Sequence, residues 1–303
     1  MNSRYMKLHL LILLSLSLLL GCELITPSPT EGKTHHLAIA LSYDGTNVNS
    51  LNGTLPDAIE LEKAFTALFA GKEHTSTLML QDGSDDLNDP LLPTRQQVLD
   101  TIEALSDSMN EQDILIISYS GHGDVDGSLV LYRSSGVILD TDEEPFADSL
   151  LSVRELYEPL KSCKGSVLLL IDSCYAGNFV QESETSYSLI ERNAYLQEIY
   201  DQYFSEGSYT RPVFVLASTT YDNTAKEPPY YGVPTHGYFT QALLEGLGWD
   251  EENQILRDVD QTISADYLYQ YVYHHQDFPL SGVNPKLYQH PTITGGPLDL
   301  ILR

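Results

Sequence analysis

The chain predicts an α/β fold: a mostly parallel central sheet between layers of helix. Three observations carry that expectation. Short apolar runs alternate with amphipathic helical segments, the order that parallel strands joined by crossover helices require. Two of the runs, Ile114-Leu115-Ile116-Ile117 and Val167-Leu168-Leu169-Leu170-Ile171, are apolar without alternation, as strands covered on both faces are. Each is soon followed by small residues around one reactive side chain, in Tyr119-Ser120-Gly121-His122-Gly123 and Asp172-Ser173-Cys174-Tyr175-Ala176-Gly177. The carboxyl ends of neighbouring parallel strands form one edge, and ligands bind there.

Taken in order, residues 36–42 are the first expected strand. Residues 56–69 read as a helix, with Pro56 in its first turn and Ile59, Leu61, Ala64 and Leu68 at roughly helical spacing. Residues 75–80 are a second strand. Thr94 with Gln97 resembles a capping box opening a helix through Val98, Ile102 and Leu105. Residues 113–119 form the strand leading to His122. Residues 128–132 and 137–139 read as a β-hairpin around Ser134-Ser135-Gly136. Ser152 with Glu155 is another capping box, for a helix running to about Lys161. Residues 166–171 form the strand leading to Cys174, and 181–209 are polar and rich in Tyr. Residues 212–217 are a further strand, 237–247 and 263–273 are helices by periodicity, and 298–302 are expected as an edge strand. Tyr267, Tyr269, Tyr271 and Tyr273 alternate, a pattern read as core rather than binding surface.

The N-terminus reads as targeting rather than fold. Arg4 and Lys7 precede an almost wholly apolar stretch over 8–20. As a helix it would reach only ~20 Å, short of the ~30 Å hydrocarbon core, which favours a cleaved signal over a membrane span. Leu19-Leu20-Gly21-Cys22 resembles a bacterial lipobox. That resemblance implies cleavage before Cys22 and lipidation of Cys22; the alternative is an ordinary secretory signal with an incidental cysteine. The expected organisation is a lipoprotein signal peptide over 1–21, a lipidated Cys and flexible tether over 22–34, and one folded domain over 35–303. The expected location is a bacterial cell envelope, with the domain lipid-anchored to a membrane and facing the periplasm or the surface.

With 43 acidic and 16 basic side chains the net charge is −27. Nucleic acid is not an expected partner, because phosphate binding needs clustered Lys and Arg. The acidity is read first as solubility outside the cell, second as attraction for cationic substrates or metal ions. Of three cysteines, Cys163 and Cys174 flank an expected strand that separates its ends by roughly 20 Å. A disulfide needs Cα atoms within ~7 Å, so the two should not pair.

A Cys and a His on adjacent strand tips offer a nucleophile with its base. The thiolate is the reactive form and a free thiol titrates near ~8.5, so His122 would take the proton from Cys174 and later protonate a leaving amine. The glycines beside His122 let a substrate backbone approach, and the N–H groups of Gly123 and Cys174 are candidate oxyanion donors. No side chain orienting His122 can be chosen from sequence.

These two motifs, 52 residues apart from His122 to Cys174, resemble those of the caspase-like cysteine peptidases, and among them the metacaspases and their bacterial relatives. Asp172 to Gly177 looks like the metacaspase Asp-Ser-Cys-His-Ser-Gly, with Tyr175 and Ala176 substituted. Residues 51–58 resemble the loop after the first strand. Ala217-Ser218-Thr219 through Ala225-Lys226-Glu227, then His236-Gly237-Tyr238-Phe239-Thr240, resembles the later strand, loop and helix start. The resemblance covers about residues 36–300. It implies a caspase-like three-layer α/β/α sandwich with Cys174 as nucleophile and His122 as general base and acid. It also implies an acidic pocket of Asp57 and Asp172, with Ser120 beside them, that selects Arg or Lys before the cut bond. Thr54 stands where metacaspases usually carry a Cys and keeps a small polar wall. No Arg matching the basic pocket of caspases proper lies near Ser120 or Cys174.

The expected function is therefore a lipid-anchored cysteine endopeptidase acting on protein or peptide substrates with basic residues. One alternative is a catalytically inactive scaffold or binding module at the cell envelope; another is a different cysteine-based acyl transfer such as transpeptidation. No cofactor is expected. Calcium activation is a secondary expectation from the acidic groups Asp140, Asp142, Glu143, Glu144 and Asp124, Asp126, although no EF-hand spacing is present. A cut after Arg192 is an expected self-processing event.

Overall fold

The computed structural model describes residues 32–83, 86, 88–133, 135–142, 144–180, 213–228, 236–276, 289, 291–294 and 300–302. The chain divides into residues 1–31 and 32–303, and everything described lies in the second unit. The expected signal, the tether up to residue 31, Glu143 and Arg192 with its polar segment lie outside the described residues, whereas the last expected tether residue, Thr34, already belongs to the sheet and the Lys33 N–H is donated to Asp113 at 2.8 Å.

Six strands form one sheet in the order β10-β7-β6-β3-β1-β2. They are β1 (Thr34–Leu41), β2 (His74–Gln81), β3 (Ile114–Ser120), β6 (Ser166–Asp172), β7 (Val213–Ala217) and β10 (Thr292–Thr294). All pairings are parallel except that of β10 with β7. The central strands are apolar throughout because both faces are covered, and alternate residues serve opposite layers. On β6, Val167, Leu169 and Ile171 join one core while Leu168 and Leu170 join the other.

The first core packs against α2 (Arg95–Ser108) through Val98 and Ile102, and against α3 (Val153–Tyr157) with its 3-10 continuation Glu158–Ser162 through Leu156 and Leu160. The second packs against α1 (Thr54–Leu68), α4 (Tyr238–Leu247) and α5 (Ala265–His275) through Phe65, Phe239, Leu243, Leu268 and Val272. The result is the three-layer α/β/α sandwich expected from the sequence.

Several local expectations are corrected. Among the described residues no pairing joins 128–132 to 137–139: β4 (Leu129–Val130) pairs with β5 (Leu150–Leu151) instead. Residues 138–140 pair instead with 144–146, and the Asn47 side-chain carbonyl accepts from the Ile138 and Leu139 N–H groups at 2.7 and 3.1 Å. Ser152 and Glu155 do form a complete capping box. At α2 only half of one forms: Thr94 accepts from the Gln97 N–H, but its own N–H goes to the Leu92 carbonyl at 2.7 Å. Of the expected edge strand 298–302 only 300–302 are described; there Ile301 bridges to Ser264, and the described edges of the sheet are β10 and β2. The alternating tyrosines lie on α5, whose buried positions are Leu268 and Val272, and Tyr273 is exposed. Alternate residues point to different faces of a helix, so the four divide: Tyr267 and Tyr269 pack half-buried against the second core, while Tyr273 lies in solvent.

Candidate active site

Sheet register brings the two reactive segments together. Ser120 closes β3 and Asp172 closes β6, and the two are paired across the strands. His122 and Cys174 each stand two residues beyond that pair, on one carboxyl edge. Both line a cavity of about 170 Å³, whose walls also include Thr54, Asp57, Ser120, Asp172, Lys226 and Gly237. Cys163 is buried elsewhere and, like Cys174, is a free thiol, as the strand between them requires.

His122 is held from three directions. Its Nε2 lies 2.8 Å from the Asn49 carbonyl. A carbonyl can only accept, so Nε2 carries the proton and Nδ1 keeps its lone pair for a base's work. The His122 backbone N–H donates to the Tyr43 hydroxyl at 2.9 Å, and the Tyr119 hydroxyl donates to the His122 carbonyl at 2.7 Å. The Tyr43 ring also packs on the imidazole, with centroids 4.6 Å apart. Tyr43 is fully buried and sits at a left-handed φ of 61°. That conformation is costly for a bulky residue, and it turns the chain so that the hydroxyl reaches His122. Burial holds the imidazole pKa below its ordinary value, partly offset by the Asn49 bond and the Glu227 charge.

Cys174 ends the run beyond β6 as Tyr175 turns left-handed at φ 57°, its N–H donated to the Asn223 carbonyl at 2.8 Å. The thiol points toward the Ala225 carbonyl at 4.0 Å. Burial raises the thiol pKa, and the Lys226 charge draws it only part of the way back. Both shifts favour the uncharged forms of thiol and imidazole. Gly123 lies hard against this segment: a Cβ there would sit 2.2 Å from the Cys174 carbonyl oxygen. Only glycine permits the approach. Tyr175 is not among the cavity's walls.

Asp57 and Asp172 share the floor of the cavity. Asp57, in the first turn of α1, accepts from the Ser120 hydroxyl at 2.6 Å, from the Gly237 N–H at 3.2 Å and from His236 Nδ1 at 2.8 Å. Asp172 accepts from the Thr240 hydroxyl at 2.9 Å. Burial pushes the Asp57 pKa up to about 6, although His236 and Ser120 pull against it. Burial, with the nearby Asp57 charge, pushes Asp172 up to about 7. Two buried carboxylates this close are compensated either by a proton or by a cation between them. Thr54 forms part of the wall, its hydroxyl donated to the Leu41 carbonyl at 2.8 Å.

Every pocket residue expected from sequence thus reaches one cavity or its rim. The acidic loops do not join them. Asp124, Asp126 and Asp140 cap backbone N–H groups of their own turns at 2.8–3.2 Å. Among the described residues no group of three His, Cys, Asp or Glu is placed to hold a metal ion. Sequence reasoning missed Asn49, which contributes only a backbone carbonyl, and Tyr43, whose hydroxyl must cross the strand tips. It also missed Glu227, whose carboxylate accepts from the Gly53 and Asn52 N–H groups at 2.8 and 3.3 Å. That bond ties the cavity wall at 225–227 to the loop bearing Asn49. His236 was visible beside Gly237, but nothing in the sequence pairs it with Asp57.

The family model for the caspase domain, peptidase family C14, matches residues 35–296. Metacaspase-1 of Schizosaccharomyces pombe is 29% identical over 160 residues, covering 50% of this chain and 35% of that one. Metacaspase-1 of Debaryomyces hansenii is 27% identical over 156 residues, covering 50% and 34%. The aligned part therefore spans about a third of the length of these relatives. A solved structure from Geobacter sulfurreducens superposes with a TM-score of 0.52 at 18% identity, over 89% of this chain and 100% of that one; the likeness is one of fold.

Proposed function

This chain belongs to the caspase-domain family of cysteine peptidases, and from that premise we propose that it is an endopeptidase that cuts after Arg or Lys with a Cys174–His122 dyad. One observation carries the reading: His122, Cys174 and the buried pair Asp57 and Asp172 all line one cavity.

In the proposed reaction a basic side chain enters between the two carboxylates and sets its carbonyl carbon before the sulfur. Cys174 Sγ attacks that carbon as His122 Nδ1 takes the thiol proton. The oxyanion accepts hydrogen bonds from the backbone N–H groups of Gly123 and Cys174. Collapse breaks the C–N bond, and His122 returns the proton to the leaving amine, which leaves a thioester. Water, deprotonated by His122, attacks the thioester; the acid product departs and the thiol regains its proton.

The test is an assay on fluorogenic peptides ending in Arg, Lys, Asp or Leu, with and without calcium, beside Cys174→Ala. Cleavage confined to the basic peptides and lost in the variant is expected. Cleavage only after Asp would keep the enzyme and sink the pocket. A folded protein that cuts none of them would favour the scaffold. Product analysis with an added amine acceptor separates hydrolysis from transpeptidation. Residues 1–21 are proposed to be removed and Cys22 lipidated, which would anchor the domain to an envelope membrane. Metabolic labelling with an alkynyl fatty acid should mark the wild type and not Cys22→Ser.

A further inference from the structure

The dyad and the acidic pair leave one buried titratable group in the same place without a role. His236 is 4% exposed. Its Nδ1 is 2.8 Å from Asp57 and its Nε2 is 3.2 Å from Glu251, whose side chain is 52% exposed. With both carboxylates ionised they can only accept, so both ring nitrogens donate, which is the state of an imidazolium. The residue next to it, Gly237, lies between the two pocket acids: a Cβ there would sit 2.4 Å from Asp172 and 3.4 Å from Asp57. The His236-Gly237 step therefore delivers a fixed cation to the back of Asp57 while leaving the front of the pocket open.

We propose that His236 is a positioning residue that sets the pocket's specificity: as a built-in countercharge to Asp57 it leaves one net negative charge for the substrate, and it links capture of a basic side chain to release of a proton. The inference rests on the basic-side-chain reading above. Lys226 and Glu227 in the cavity wall cancel, Glu251 behind His236 is half-exposed and screened by solvent, and Asp57, Asp172 and the imidazolium sum to −1, which matches one guanidinium or ammonium. In the empty pocket at neutral pH and below, that −1 is cancelled by a proton on the acid pair. An incoming cationic side chain takes the proton's place, the proton passes to solvent, and no bond of the substrate side chain changes.

The charged and titratable groups around His236 are consistent with this. Asp57 faces it from α1, and Glu251 faces it from the turn between β8 (Trp249–Asp250) and β9 (Ile255–Leu256). Asp172 lies beyond Asp57 at the end of β6, and Lys226, Glu227, His122 and Cys174 share the cavity. Burial opposes the charge on His236, but its bonds and charge contacts with Asp57 and Glu251 outweigh that, and its pKa is raised. His236 in turn pulls the Asp57 pKa down against burial. Without the imidazolium the acid pair would hold its proton to higher pH, and a protonated pair does not bind a cation.

The test is the pH profile of kcat/KM for an Arg-ending peptide in the wild type and in His236→Asn, which keeps a donor to Asp57 and removes the charge. The acid limb should move up by about one pH unit. The variant should then be about tenfold slower at pH 6, nearly equal to wild type at pH 9, and little changed in kcat at saturation. A parallel profile of Glu251→Gln, a half-exposed position, should shift the same way by less, and it decides the matter if His236→Asn does not fold. Limbs that overlay the wild type, or a loss uniform across pH, would overturn the proposal. A wild type that cuts Leu-ending peptides as well as Arg-ending ones would instead overturn the reading beneath it.

Discussion

Replacing Asp172 with Asn should make the protein more stable and less active, in a way that depends on pH. The carboxyl is 6% exposed and its pKa is raised from an ordinary 3.8 to about 7, first by burial and then by Asp57. A raised pKa means that the folded state binds a proton the unfolded state has released. The associated stability is fully present below about pH 4 and is lost as the pH climbs through 7. At pH 8 the native carboxylate therefore costs on the order of 4 kcal/mol relative to its protonated form. Asn is the neutral isostere, and its carbonyl still accepts from the Thr240 hydroxyl now at 2.9 Å. Allowing ~1–2 kcal/mol for the weaker, uncharged hydrogen bonds, Asp172→Asn should gain about 2–3 kcal/mol at pH 8 and nothing, or lose slightly, at pH 4.5. Urea unfolding followed by circular dichroism across that range measures it. Equal slopes of stability against pH in the two proteins would refute the reasoning, because Asp172 would then not be an acid held out of its ordinary range. The same variant should lose at least about a hundredfold in kcat/KM on Arg-ending peptides, since charged hydrogen bonds are each worth about 1.5–3 kcal/mol.

Three further outcomes follow from the geometry. Tyr43→Phe removes the hydroxyl that holds the His122 N–H and the Val130 carbonyl; kcat should fall about ten- to a hundredfold and stability by ~1–3 kcal/mol, measured by steady-state kinetics and thermal melts. Gly237→Ala places a Cβ 2.4 Å from Asp172 Oδ2, so KM for Arg- and Lys-ending peptides should rise severalfold or more while alkylation of Cys174 by iodoacetamide stays near the wild-type rate. Glu227→Ala frees the Asn52 and Gly53 N–H groups; hydrogen exchange at residues 49–53 should quicken and kcat should drop, with KM less affected.

The parts of this molecule that were legible in the sequence are those written in side-chain type along one stretch of chain. The strands β3 and β6 announced themselves as apolar runs buried on both faces, and the small residues after them marked where reactive groups stand. Asp57 was readable as a first-turn acid of α1 and, through the resemblance to metacaspases, as a pocket residue. What was not legible is what depends on register or on backbone. Asn49 acts through its carbonyl, which every residue has. Tyr43 acts because a left-handed turn carries its hydroxyl across to the His122 segment, and a Tyr following a strand gives no sign of that. The hairpin expectation failed because both arms pair elsewhere, 129–130 with 150–151 and 138–140 with 144–146. The partnership of His236 with Asp57 joins positions 179 residues apart and exists only once α1 and α4 pack on the same face of the sheet.

The proposed function requires one cavity that joins a nucleophilic Cys174 to a pocket for a basic side chain. It is tested most directly by treating the protein with an acyloxymethyl ketone carrying Arg, and separately with the Leu analogue, and mapping the adduct by peptide mass spectrometry. The account predicts a single adduct on Cys174, formed at least about a hundredfold faster with Arg and absent in His122→Gln over the same time. Labelling at Cys163, or equal rates for Arg and Leu, would contradict it.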